Sequence, residues 1–482
     1  MRQTLARLVY ISLAAASLVA CSVDTQDGSR AISPPIVIPA APTADTCATD
    51  LPEDDIGIYL CSWEHRALTL QRELGYTLPL REVGFFSSHN SANAVVYTGA
   101  SSQDYNQTRS VVDQFQLDVR SIEFDVHWLP HNSGGHAPVL CHGLPAGQEH
   151  AGCTAGDRHF QEGLDEIRAF LDSDQGANQV IIFDFEDHLY PAPFSGQGTT
   201  ADQAHDAGLS IIIETLGDAI YLPPQDGACH DAPMDISLND ILAAGKQILF
   251  TGGCGPDGHD WRKFSFGYGT RPAQKANDGF DSYPDCESST FSETQYRNNW
   301  IRLWEDTTQV GAITNSSLQR MDEAQLRSMA SCGVNFSSLD RVDPNPTATG
   351  GNPNFQGQGI NFAHLVWSWA AGQPAVNTDL ECASLETSGE YFLAGNCSQT
   401  KRYACLQDGA LDNPIADPTV LWQISTESGG ASGSSACVTL SGYSYAVPRS
   451  GWLKQKLLEA MAVDSVTSIW LNYRETNHNE WE

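Results

Sequence analysis

Arg120-Ser121-Ile122-Glu123-Phe124-Asp125-Val126-His127 is the stretch whose reading decides the fold. Apolar and charged residues alternate, so Glu123 and Asp125, at i and i+2, face one side of a strand while Ile122 and Phe124 face the other. Three more runs stop on the same kinds of residue. Val83-Gly84-Phe85-Phe86-Ser87-Ser88-His89-Asn90-Ser91 stops on a His-Asn pair, and Pro138-Val139-Leu140-Cys141-His142-Gly143 stops on a histidine. Val180-Ile181-Ile182-Phe183-Asp184-Phe185-Glu186-Asp187-His188 stops on two acids and a histidine. Each ending alone has an ordinary explanation: a solvated loop histidine, an exposed strand face, a helix cap. Four in order, each behind a buried-type apolar strand, match the C-terminal rim of a barrel.

Outward from these runs, helical and strand periods follow one another. Residues 160–172 carry Leu164, Ile167, Phe170 and Leu171 on one face and lead into a strand at 180–186. Helical patterns also cover 63–74, 201–216 and 322–330. Residues 247–251 read as a strand and 333–340 as the closing one. This is an α/β pattern over 47–345, with fewer than eight strands legible. Gly/Asp/Ser-rich insertions at 188–200 and 252–310 are placed to shape the mouth of a site. After a Pro/Gly/Asn linker at 344–359 the composition changes, and 360–482 reads as a smaller, disulfide-stapled, β-rich domain.

The chain has 482 residues, with 59 acids against 26 Lys and Arg and a formal charge of −33. Such a surface repels nucleic acid, which excludes it as a ligand class, and attracts divalent cations. The first 21 residues read as a lipoprotein signal: an apolar run over 8–20 closes on Leu18-Val19-Ala20-Cys21. Lipidation of Cys21, a polar tether over 22–46, and an exported bacterial lipoprotein held on the cell envelope (outer membrane or surface) are the expectations. Setting Cys21 aside leaves 12 of 13 cysteines, an even number compatible with six disulfides. The expected local pairs are Cys47 with Cys61, Cys141 with Cys153, and Cys382 or Cys397 with Cys405 or Cys437.

Ser88-His89-Asn90-Ser91, Ile122-Glu123-Phe124-Asp125, Cys141-His142-Gly143 and Phe185-Glu186-Asp187-His188 together resemble the catalytic half of phosphatidylinositol-specific phospholipase C, in its metal-dependent, eukaryotic-like form. The resemblance implies a distorted TIM-type (β/α)8 barrel and a phosphoric diester hydrolase. The substrate would be phosphatidylinositol or a related phospholipid or small phosphodiester bearing a hydroxyl. It implies Asn90, Glu123, Asp125 and Glu186 as ligands of Ca2+, with Mg2+ as the second choice. His89 would stabilise the phosphorane, His142 would act as general acid, and Glu123 or Asp125 would act as base. All four ligands are oxygen donors, which suits a hard cation.

In the metal-independent bacterial enzymes the corresponding strand ends Asp-x-Arg, whereas this one ends in Asp125. Arg120, at odd spacing, faces the other way, so a positive side chain could offset the acids only from elsewhere in the chain. Glycerophosphodiester phosphodiesterases are similar too, but usually begin on a His-Arg pair. The eukaryotic enzymes carry lysines on the strand after the fourth motif; Phe250-Thr251-Gly252-Gly253 has none, which argues against polyphosphorylated inositides.

The Trp/Cys pattern around Val366-Trp367-Ser368-Trp369, Glu381-Cys382 and Trp470-Leu471-Asn472-Tyr473 resembles C-type lectin-like halves in swapped order, which implies carbohydrate as a partner. Ala375 after Gln373-Pro374 departs from that family's ligand triplet. A non-catalytic envelope adhesin is the reading from another class, and the presence of both His89 and His142 argues against it.

Overall fold

The computed structural model of the protein describes residues 36–42, 46–47, 52–97, 105–132, 134–144, 147, 149–191, 199–267, 273–275, 300–308, 321–345, 362–375, 380–410, 418–433, 436–477 and 480–482. The expected signal segment, Cys21, most of the tether and most of the 344–359 linker lie outside these residues.

The long apolar runs form the strands they predict. Parallel strands β1 (Phe85–Ser88) and β2 (Ser121–Pro130) pair with each other, and β2 is followed by the short β3 (His136–Leu140) and β4 (Arg158–His159). Then come β5 (Ile181–His188), β6 (Ile248–Thr251), β7 (Ala273–Lys275), β8 (Arg302–Trp304) and β9 (Phe336–Leu339). The parallel order is β6-β5-β2-β1-β9-β8-β7. Among the described residues the two edges, β6 and β7, are not hydrogen-bonded to each other.

The run ending on His142 forms a strand, as read from the sequence, but stands outside the parallel order. It is not the third parallel strand: β3 runs antiparallel to the distal half of β2, with Val126 opposite Leu140 and Pro130 opposite His136. Five residues, 131–135, join them, and a parallel crossover needs a dozen or more. The hairpin still serves the site, because it returns the chain to Asp125, whose carbonyl accepts the Cys141 N–H at 3.2 Å.

Helices cover the outer face of the sheet. Residues Trp63–Gly75 form α1, Val111–Gln116 α2, Phe160–Leu171 α3, Ala201–Leu216 α4 and Glu323–Cys332 α5. Side chain–backbone capping boxes start α3 (His159 with Glu162), α4 (Thr200 with Gln203) and α5 (Asp322 with Gln325). Helix α3 packs its apolar face on β2 and β3. A Cβ at Gly163 would meet the side-chain ends of Phe124 and Leu140 at 2.7 Å, so a larger residue here must displace them.

Residues 380–482 add a second sheet. It contains β10 (Cys382–Glu386), β11 (Phe392–Gly395), β12 (Lys401–Gln407), β13 (Trp422–Gly429), β14 (Tyr443–Tyr445), β15 (Ser468–Asn477) and β16 (Glu480–Trp481), with helix α6 (Gly451–Val463) between β14 and β15. Its order is β11-β10-β15-β12-β13, with β14 on β12 and β16 on β15. One apolar cluster runs from β2, β5 and β9 into α6, β10 and β15, and residues Val37–Glu482 form one compact unit. Among the described residues no helix is long and apolar enough to cross a membrane.

Disulfides join Cys47–Cys61, Cys141–Cys153, Cys229–Cys254, Cys382–Cys397 and Cys405–Cys437, and Cys332 is bonded as well. The third expected pairing is thereby corrected. Cys382 lies opposite Gly395 in the β10–β11 hairpin, which brings Cys397 to it; Cys405, on β12, bonds Cys437 in the segment before β14.

Candidate active site

The register of β2 against β5 builds the site. Glu123 pairs with Asp184, Asp125 with Glu186, and His127 with His188. In a parallel pair with period two, these three pairs share one face, on which Glu123, Asp125, His127 and Asp184 are buried, His188 is partly buried and Glu186 is exposed. Glu123 and Asp125 are 5% and 3% exposed, so water does little to screen their charges.

At the end of β1 the chain turns through Asn90, in the left-handed region at φ 45°, a conformation asparagine tolerates better than most residues. The turn points the Asn90 N–H at Glu123 Oε2 (3.2 Å) and the Asn90 side-chain amide at Asn106 Oδ1 (3.1 Å). His89 is buried beside it. Its Nδ1 lies 3.1 Å from Asp340 Oδ1, and its Nε2 lies 3.8 Å from Glu123 Oε2. Asp340 follows β9 and is itself held: the Thr307 N–H and hydroxyl both donate to its Oδ2 at 2.7 Å, and Asn106 donates to Oδ1 at 3.0 Å. Burial alone would lower the His89 pKa. The hydrogen bond to Asp340 and the charges of Glu123 and Asp340 outweigh it and raise the imidazole above its ordinary value. Asp340 is held below the usual carboxylate range against its own burial.

The positive charge that the acids call for comes from Arg302 on β8. Its guanidinium donates to Glu123 and lies 3.4 Å from Asp184 Oδ2, while its Nε donates to Ser338 at 3.2 Å. Asp125 and Glu186 have a different surrounding. Their oxygens and a ring nitrogen of His188 lie within 4.8 Å of one another, and His188 Nε2 is 3.2 Å from Glu186 Oε1. Burial, then the neighbouring Glu186 carboxylate, push Asp125 well above the usual range. Glu186 is held low, because the hydrogen bonds to His188 and Asp125 outweigh its desolvation. His142, half-buried after β3, is close enough to Glu186 and His127 to act on both electrostatically. The Cys141–Cys153 bond and the Leu144 N–H to Ala151 carbonyl bond (2.9 Å) fix the loop that carries it.

The structure therefore brings His89, Asn90, Glu123, Asp125, His142 and Glu186 to one face, in two subgroups. Glu123 pairs with Arg302 and faces His89, while Asp125, Glu186 and His188 cluster beside His142. Arg302, Asp340, Asn106 and His188 are the members that sequence reasoning did not select. Two buried oxygens, Asn90 Oδ1 and Asp125 Oδ1, have no hydrogen-bond partner among the described residues. Together with the neighbouring Asp125 and Glu186 carboxylates, they are the donor set a hard divalent cation would satisfy.

A family model described as the Rv2075c PI-PLC-like domain matches residues 46–346. The chain belongs to this family. The matched span opens just before Cys47 and ends just after Asp343, so it takes in every site residue named above. Among curated proteins, Rv2075c and MT2135, both uncharacterized proteins of Mycobacterium tuberculosis (strains H37Rv and CDC 1551), are each 26% identical over 408 residues. The match covers 82% of this chain and 76% of each relative. Among solved structures, phosphatidylinositol-specific phospholipase C from Listeria monocytogenes aligns over 60% of this chain and 99% of its own, at 16% identity and a TM-score of 0.39. The F249X mutant of the Staphylococcus aureus enzyme aligns over 63% and 99%, at 11% identity and a TM-score of 0.40.

Proposed function

We propose that this member of the PI-PLC-like family is a divalent-cation-dependent phosphoric diester hydrolase acting on phosphatidylinositol or a related hydroxyl-bearing phosphodiester. The observation that carries the reading is one juxtaposition. The His89–Asp340 pair and His142 flank the carboxylates of Glu123, Asp125 and Glu186, beside two buried oxygens, Asn90 Oδ1 and Asp125 Oδ1, that have no hydrogen-bond partner among the described residues. Cleavage needs a charge partner for the phosphoryl oxygens, a base for the attacking hydroxyl and a proton for the leaving alkoxide. His89, kept cationic by Asp340, is suited to the first. Glu123, oriented by Arg302, or Asp125 takes the nucleophile's proton, and His142 delivers one to the departing oxygen.

Asn90, Asp125 and Glu186, with Glu123 as the fourth member, would hold Ca2+, or Mg2+ in second place. When bound, the cation supplies Lewis-acid neutralisation of phosphoryl charge. The second reading is glycerophosphodiester hydrolysis, which uses the same groups on a smaller diester. The Leu18-Val19-Ala20-Cys21 box supports extending the proposal to a lipid-anchored envelope protein. Sugar binding by the second sheet is left out of it: the Gln373 side-chain oxygen accepts the Ala394 N–H at 3.4 Å, and Ala375 offers no side-chain donor atom.

The deciding experiment is hydrolysis of a panel of phosphodiesters by purified full-length protein after exhaustive chelation, with separate add-back of Ca2+, Mg2+ and Mn2+. Activity restored by Ca2+ is the expected result. Full activity in the metal-free protein overturns the ligand assignment of Asn90, Glu123, Asp125 and Glu186. No turnover of any diester with any of the cations overturns the hydrolase reading.

A further inference from the structure

The same face of β2 and β5 ends in a histidine cluster that the hydrolysis scheme does not use. His127 is fully buried, and its Nδ1 lies 2.8 Å from His150 Nδ1. His150 Nε2 lies 2.9 Å from the Tyr190 carbonyl oxygen, which can only accept, so this nitrogen carries the hydrogen. His150 Nδ1 is then a lone pair and must accept the Nδ1–H of His127. That leaves His127 Nε2 as a bare lone pair, and among the described residues it has no hydrogen-bond partner. Both rings are buried, and this is the arrangement that satisfies the Tyr190 carbonyl while keeping both rings uncharged.

The relay is also built into the backbone. His150 occupies the left-handed region at φ 52°, inside the loop closed by Cys141–Cys153, and its carbonyl accepts the Cys153 N–H at 3.0 Å. An imidazole whose far nitrogen is tied through a second ring to a main-chain carbonyl is fixed in tautomer and orientation. Metal-ligating histidines are held in this way. The ring of His188 packs against that of His127, and His188 belongs in turn to a cluster of donor atoms. The His188 ring centroid lies 4.4 Å from that of His127, and the donor atoms of His188, Glu186 and Asp125 lie within 4.8 Å of one another.

We propose that His127 Nε2 and His188, with Glu186, form a second cation site that takes a borderline transition metal of the Zn2+ class, beside the oxygen-donor site and sharing Glu186 with it. Two imidazoles and a carboxylate suit Zn2+, whereas Ca2+ takes oxygen ligands almost exclusively. The inference goes beyond the hydrolase reading and does not depend on it, since it concerns binding alone.

The test uses the metal-stripped full-length protein dialysed against Zn2+ in the presence of excess Ca2+, with bound zinc read by elemental analysis. The visible spectrum of the Co2+-loaded protein reports nitrogen ligation. One retained zinc per chain is expected, together with loss of affinity on the order of tenfold or more in His127→Gln, in His188→Ala and, through the relay, in His150→Phe. His188 lies nearer the surface than His127, so its variant decides the matter where the buried substitutions fail to fold. Zinc retention by His188→Ala equal to wild type, no zinc on the wild type, or complete displacement of zinc by Ca2+ each overturns the proposal. Zinc bound as expected without turnover of any diester would overturn the hydrolase reading and leave this one standing.

Discussion

Asp340 acts at the residue scale through the proton of His89. If His89 works as an imidazolium, the rate falls as pH rises through its folded pKa, and that pKa lies above the ordinary value because Asp340 and Glu123 favour the charged ring. Asp340→Asn keeps the shape and removes the charge. The alkaline limb of kcat/KM should move to lower pH; a shift of about one unit lowers the rate above the limb about tenfold. A pH–rate profile that keeps its limb in the variant would show that the dyad does not set this titration. His142→Ala should cost on the order of a hundredfold to ten-thousandfold toward a diester with a poor leaving group, and much less toward nitrophenyl diesters, whose departure needs little protonation. Equal losses on both substrates would remove His142 from the general-acid role.

His89, Asn90, Glu123, Asp125, His142 and Glu186 were legible because each closes or interrupts an apolar run. Arg302 was not: β8 spans only Arg302–Trp304, too short to show a period, and an arginine outside a pattern reads as a solvated charge. Asp340 ends a legible strand, yet its role depends on pairing with a ring 251 residues away in sequence, which no local pattern carries.

Among elements, the register of β2 with β5 does most to place the chemistry, and the opposite end of β2 does most to hold it. Just before β2, Asp118 is buried in the left-handed region at φ 67° and gathers three donors. These are the Tyr59 hydroxyl (2.7 Å), His65 Nδ1 (2.7 Å) and Arg72 Nη1 (2.9 Å), the last two from α1. Although desolvation favours the acid, His65 and Arg72 hold the carboxyl far below its usual range. Asp118→Asn accepts the same backbone and leaves Arg72 without its counter-charge, so a loss of about 3–5 kcal/mol at neutral pH is expected.

The sign of the pH dependence follows from the depressed pKa. The contribution is present above the unfolded carboxyl pKa of about 3.9 and is lost as pH falls below it toward the folded value. The gap between wild type and variant in urea melts should therefore narrow from about pH 4 downward. A gap independent of pH would mean that shape, not charge, is what Asp118 supplies. The direction of β3 in the β2–β3 hairpin was not read from the sequence, although its signal was present. Asn132, then Gly134 and Gly135 at positive φ, make a turn that only an antiparallel return can use.

At the scale of the whole molecule, the family span ends near residue 346, but the apolar core does not. Trp452, Leu453, Leu457 and Met461 of α6 belong to the same cluster as Leu326 and Met329 of α5. A Cβ at Gly451 would lie 2.5 Å from the Ala330 carbonyl oxygen, so the two helices meet backbone to backbone. Polar contacts follow the same seam: Gln71 of α1 donates to the Leu365 carbonyl at 3.1 Å and accepts the Trp367 N–H at 2.9 Å. The residues of this seam were not legible in the sequence, where a linker and a change of composition read as a boundary between two domains.

Two outcomes follow from one shared core. Gly451→Val forces the helices apart and should cost about 1–3 kcal/mol by overpacking, with both parts unfolding in one lowered transition. A chain ending at Asn345 uncovers the inner face of α5 and should be much less stable than the full protein, or insoluble. Calorimetry of the full-length protein, the glycine variant and the truncated chain separates the cases. Two transitions in the full protein, with the first unchanged by truncation, would mean that the second sheet is an independent passenger and that the active-site face stands without it.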